Sequence, residues 1–156
     1  IAGSGVDAIL ITCTNYIALV DDENRKKSVP YIYIDEPFFR NICTIQEPQI
    51  LLFTNSDTVK GTVDRLNQYA LANKKTIHFE PRVLPNAFSL LMNGNKKEHD
   101  LLLAQYIEEL IINGNKQISV AQLSMVDVAK QLSSKFSLPI LNPLDVLADA
   151  ILTSLK

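Results

Sequence analysis

A cysteine that closes an apolar strand, followed at once by a threonine and an asparagine, is the strongest chemical feature of this sequence. Cys13, Thr14 and Asn15 follow the run Asp7-Ala8-Ile9-Leu10-Ile11-Thr12. In parallel α/β sheets, ligands bind beyond the carboxyl ends of the strands. A thiol at a helix start can have a lowered pKa, because the helix N-terminus favours the thiolate, and it can then work as an acid/base group. The opposing reading is an inert buried thiol, since free cysteine is among the most buried residue types. Position alone leaves both open. Two further polar clusters hold equivalent positions: Thr54-Asn55-Ser56 and Gln122-Leu123-Ser124. Small hydroxyl and amide side chains beside helix-start N–H groups suit a carboxylate or phosphate. For Thr54-Asn55-Ser56 the competing explanation is helix capping alone.

Other ionisable residues carry weaker signals. Asp35-Glu36-Pro37 follows a strand, and paired carboxylates can do acid–base work, although Asp35 can equally cap the next helix. Cys43 lies among Ile42 and Ile45 and reads as core. His78 reads as a hydrogen-bonded strand residue, and His99, after Lys96-Lys97-Glu98, as part of a solvated helix face. None of these residues has metal-ligand spacing. Gly3 and Gly5 precede their strand instead of following it, so they make no dinucleotide fingerprint, and no phosphate-binding P-loop motif is present. No metal is expected.

The elements that must position these groups are readable from hydrophobic pattern. Apolar, β-branched runs recur at Asp7–Cys13, Val29–Ile34, Gln49–Thr54, Thr76–Glu80, Ile118–Ala121 and Leu138–Leu141. Several show little alternation, as expected of parallel strands buried on both faces. Between them, Ser56–Lys74, Glu98–Ile112, Ser124–Phe136 and Asn142–Leu155 read as helices, the last opened by an asparagine cap with proline in the first turn. Strand–helix alternation with short connections predicts an α/β fold of parallel sheets with flanking helices. A weak internal repeat adds detail. Sixteen positions separate Cys13 from Val29, and sixteen separate Gln122 from Leu138; Val29-Pro30 and Leu138-Pro139 then open the next strand. Two matched half-domains would produce this, with Gln122 the counterpart of Cys13.

Composition narrows the function classes. The 156 residues, 47% of them hydrophobic, can build one real core. A formal charge of −2 offers no basic surplus for neutralising phosphates, which argues against nucleic acid as partner. No apolar run approaches the ~20 residues that span a bilayer, and no signal peptide is visible, so no membrane partner is expected. Two cysteines make no disulfide framework, and a cytoplasmic location is the simplest expectation. The chain enters a strong strand almost at once from Ile1-Ala2-Gly3-Ser4-Gly5, without a methionine, which reads as a start in mid-domain.

In order along nearly the whole chain, four stretches resemble the aspartate/glutamate racemase superfamily (Asp/Glu/hydantoin racemases). They are Gly5 to Asn15, Val29-Pro30 to Asp35-Glu36-Pro37, Phe53 to Val59, and Ala121-Gln122-Leu123-Ser124-Met125. The resemblance implies two similar flavodoxin-like α/β half-domains with a cleft between them. Residues 1–47 would be the remainder of the first half and 48–156 the second, with about two strands and their helices missing before Ile1. It implies a cofactor-independent racemase or isomerase acting at the α-carbon of a small acidic amino acid or carboxylate, and self-association as a homodimer. In active racemases of this kind two cysteines face each other across the substrate. Cys13 matches the first, as the thiol acid/base. Thr14 and Asn15, and more loosely Thr54 and Asn55, match residues near the substrate carboxylate, with Gln122 and Ser124 completing the binding set. The second cysteine is absent: Gln122 stands at its position, and an amide cannot exchange a proton near neutral pH as a thiol can. One-cysteine decarboxylation or isomerisation, and a degenerate, non-catalytic carboxylate-binding member, are therefore alternatives. An unrelated flavodoxin-like binding domain is a third.

Overall fold

The run Gln-Ile-Leu-Leu-Phe has no polar alternation because it has no solvent face. In the computed structural model all five residues of β3 (Gln49–Phe53) are buried. The structure describes residues 5–13, 17, 29, 31–147, 150 and 151. Ahead of β3, β1 (Ile9–Ile11) and β2 (Tyr31–Tyr33) pair in parallel, and α1 (Asp35–Ile42) follows. Beyond β3 a 3-10 turn (Ser56–Thr58) runs into α2 (Val59–Ala72). Then come β4 (Phe79–Val83), α3 (Ala87–Met92), α4 (Lys96–Ile112) and β5 (Ile118–Val120). A second 3-10 turn (Leu123–Met125), α5 (Val126–Phe136) and β6 (Ile140–Leu141) complete the described elements. The fold is α/β, with a two-stranded sheet β1-β2 and a four-stranded sheet ordered β4-β3-β5-β6, and every pair is parallel.

Successive strand residues alternate between two cores. Ile50 and Leu52, with Ile118 and Val120, pack against Leu103 and Ile107 of α4 and Ala129 and Leu132 of α5. Leu51 and Phe53 point the other way, into Phe38 and Ile42 of α1 and Leu66 and Ala70 of α2. Thus α1 packs on the larger sheet. A third cluster joins Ile11, Ile32 and Ile34 to Leu147.

Some sequence boundaries shift for identifiable reasons. The fourth strand forms three residues later than expected and includes Pro81. Proline has no N–H for the ladder, which is tolerable because β4 lies at the edge of the sheet. The short helix α3 carries no strong pattern and was not expected. His99, read as solvated, is fully buried. It heads the buried stripe His99, Leu103, Ile107, Leu110, whose spacing is that of one helix face. Its Nδ1 lies 2.8 Å from Asp100 Oδ1. Cys43 is core as read, and burial pushes its thiol up against the opposing pull of Lys75.

The expected cap at Asn142 is present. Asn142 Oδ1 accepts from the backbone N–H of Leu144 and of Asp145, each at 3.1 Å, and Leu147, Ala150 and Ile151 beyond it are helical. Asn142→Ala removes both bonds together with the 2.7 Å donation from Nδ2 to Asp145 Oδ2, and should cost about 1 kcal/mol or somewhat more, read as a lower urea midpoint with an unchanged slope.

Candidate functional site

The ladder ends of both sheets converge on one cleft. Ile34 N–H donates to the Ile11 carbonyl at 3.1 Å, so the β1-β2 ladder runs one residue past β2, and Cys13 and Asp35 emerge from adjacent chain ends. In the larger sheet, Ala121 N–H donates to the Leu52 carbonyl at 2.9 Å, which sets Gln122 beside the Thr54-Asn55 turn. Strand order reverses at β3, whose neighbours are β4 and β5. That reversal opens a crevice at the carboxyl ends of parallel strands, the usual ligand position in such sheets.

A cavity of about 230 Å³ fills this crevice. Its polar wall includes Cys13, Asp35, Asn55, Thr58, Thr62 and Gln122, and its apolar wall includes Ile34, Phe38, Phe39 and Leu123. Cys13 is exposed, so the inert buried reading does not describe it.

Gln122 is held by its own hydrogen bonds. Its Oε1 accepts from Thr54 N–H at 2.7 Å, Thr54 Oγ1 at 2.8 Å and Asn55 N–H at 3.2 Å. Its Nε2 donates to Thr58 Oγ1 at 3.2 Å, and that hydroxyl donates to the Asn55 carbonyl at 2.8 Å. The amide therefore pins the β3 turn to the end of β5, with one N–H to spare for the cavity. Asn55 Oδ1 caps the 3-10 turn by accepting from Asp57 N–H at 3.0 Å, so both capping and cavity lining are true of this residue.

Of the residues picked from sequence, the cavity brings together Cys13, Asn55 and Gln122. Thr54 is buried behind the wall, its hydroxyl engaged by Gln122. Ser124 sits half-buried in the turn after β5 and does not line the cavity. Thr14 and Asn15 lie outside the described residues. His78 is exposed, immediately before β4. Thr58, Thr62, Phe38 and Phe39 were not picked; the helix-face spacing of Thr58 and Thr62 was the available signal.

Asp35 was weighed as a cap, but the N-cap of α1 is Ile34, and no side chain caps this helix. Instead the Asp35 carboxyl is buried at 4% exposure and faces Arg65 of α2. Arg65 Nη2 donates to Oδ1 at 2.8 Å and stands 2.7 Å from Oδ2, which accepts no hydrogen bond. Burial pushes the Asp35 carboxyl up, and the Arg65 guanidinium opposes the shift without cancelling it. No group of three His, Cys, Asp or Glu side chains among the described residues is arranged to hold a metal ion. No described helix is long and apolar enough to cross a membrane.

No protein-family model matches this sequence, and no curated protein sequence is detectably similar to it. Solved structures do match. Glutamate racemase RacE1 from Bacillus anthracis aligns over 95% of this chain with a TM-score of 0.65 at 11% identity. Glutamate racemase from Francisella tularensis, solved with D-glutamate, aligns over 96% with a TM-score of 0.63 at 16% identity. Allantoin racemase from Klebsiella pneumoniae aligns over 97% with a TM-score of 0.63 at 18% identity. The chain spans 57%, 57% and 60% of their respective lengths. It has the fold of the glutamate and allantoin racemases, as the sequence resemblance implied.

Proposed function

We propose that this protein is a cofactor-independent isomerase of racemase type, acting at the α-carbon of a small carboxylate, with Cys13 as its acid/base group. One observation carries the reading: an exposed thiol at the end of β1 shares a cavity with the Asn55 and Gln122 amides at the ends of β3 and β5. Fold likeness to racemases supports it as analogy.

In the proposed step the Cys13 thiolate takes the α-proton, and the C–H electron pair moves into the adjacent carboxylate. The spare N–H of Gln122, the Asn55 amide and the Thr62 hydroxyl supply donors for the charge that develops there. The thiol then returns a proton to the same face. Gln122 offers no proton for the opposite face, so exchange with retained configuration is the elementary activity. Inversion needs an acid beyond these groups. Thr14 and Asn15 belong to the same binding set in this proposal, with Thr54 and Ser124 supporting the wall from behind. A first half-domain ending near residue 47, a homodimer and a cytoplasmic location complete the proposal.

The test is NMR of α-proton exchange in heavy water, using the complete protein with alanine, aspartate, glutamate and simple malonates. Loss of the α-proton signal is expected for at least one acid, with inversion where the complete protein supplies a second acid on the opposite face and retained configuration where Cys13 works alone. A folded protein that binds these acids and exchanges none of them would instead be a carboxylate-binding protein, and the catalytic reading would fall.

A further inference from the structure

We infer that the cleft prefers a ligand with one carboxylate and an uncharged side chain over a dicarboxylate such as glutamate or aspartate, and that Asp35 sets this preference. The inference rests on the reading that the cleft takes a small carboxylate, and it narrows that reading.

The charge inventory of the wall carries the argument. Among the described residues lining the cavity there is no lysine, arginine or histidine, and Asp35 is the one carboxyl group. The neutral donors of Asn55, Gln122 and Thr62 are enough to hold one carboxylate. A second carboxylate would meet a buried acid and, among the described residues of the wall, no cation to offset it. Arg65 does not fill that role. It lines a separate cavity with Glu36 and Tyr69, and its Nη2 is committed to the two Asp35 oxygens. Asp35 is already a carboxyl that burial disfavours in its charged form, so a second nearby anion compounds the same penalty. The rest of the wall points the same way. Ile34, Phe38, Phe39 and Leu123 offer contact to an apolar substituent and nothing to a charged one. At about 230 Å³ the space is below the ~300–1,000 Å³ of drug-sized sites, which suits a small metabolite.

The experiment is calorimetric titration of the complete protein with alanine and 2-aminobutyrate against aspartate and glutamate, repeated for Asp35→Asn and Arg65→Gln. In the wild type the monocarboxylates should bind about tenfold tighter or more, the size expected when a second carboxylate enters a partly desolvated site whose described wall gives it no cation of its own. Asp35→Asn should narrow the ratio about threefold or more, chiefly by tightening the dicarboxylates. Arg65→Gln removes the counter-charge that favours ionised Asp35, so burial should drive the carboxyl towards its neutral form and the ratio should narrow here too. Tighter binding of the dicarboxylates with the monocarboxylates little changed is not what simple loosening of the fold would give, since loosening weakens all four acids. Equal or tighter binding of dicarboxylates by the wild type overturns the inference alone. So does an unchanged ratio in whichever variants fold. Failure of all four acids to bind the wild type removes the inference together with the function on which it rests.

Discussion

Cys13→Ala should lower α-proton exchange about 10²–10⁴-fold, the range contributed by one positioned acid/base group, while leaving the fold intact. Cys13 is exposed and belongs to none of the three core clusters, so its removal opens no cavity in a packed interior. No other described wall residue offers a substitute base of comparable access: Asp35 is buried against Arg65, and the remaining polar lining groups are amides and hydroxyls. Ligand binding should survive, because the donors to the carboxylate lie on β3, α2 and β5 elements and not on Cys13. The decisive comparison is exchange rate against ligand-induced thermal stabilisation in the same variant. Exchange that persists at the wild-type rate would falsify the role given to the thiol.

Gln122→Ala should be the most damaging polar substitution in the cleft. It strips the shared acceptor from Thr54 N–H, Thr54 Oγ1 and Asn55 N–H at once. An unsatisfied buried donor costs about 1–3 kcal/mol. Water entering from the cavity can recover part of that loss, so a total near 3 kcal/mol is expected. For a chain of this size that corresponds to a fall in Tm of about 6–12 °C. Gln122→Glu keeps an acceptor oxygen in reach of the same donors and should lose less than half as much. A Gln122→Ala variant melting within about 2 °C of wild type would mean that the β3 turn holds its shape without the amide. The same geometry explains why glutamine and a second thiol are exclusive here. A cysteine at this position would offer a proton, but its shorter side chain could not reach all four partners.

Legibility followed the strength of local pattern. The unbroken apolar runs at 49–53 and 118–120 were readable as doubly buried strands, and their polar successors Asn55 and Gln122 as cleft residues, because strand ends in parallel sheets have a fixed chemical meaning. His99 was misread because its neighbours Lys96, Lys97 and Glu98 suggested solvent, although its spacing to Leu103 and Ile107 placed it on the buried face. Asp35 was judged from its position before a helix, and its real partner, Arg65, is 30 residues away. Gln122 gave the same difficulty at longer range. Its role as anchor depends on Thr54 and Asn55, 68 and 67 residues earlier, and no local pattern announces such a bond.

That long reach also bears on the order in which the molecule becomes native. Parallel pairing and contacts between distant chain segments form slowly, since the intervening chain must be closed before they are rewarded. The turn after β3 cannot acquire its acceptor until α2, β4, α3, α4 and β5 have been gathered, the same closure that gives β3 its β5 neighbour, so the cleft forms together with the central ladder and not before it. In the native state the Thr54 and Asn55 amides, bonded to a part-buried side chain at the rim of the cleft, should open to hydrogen exchange at lower free energy than Leu51 and Leu52 inside the ladder.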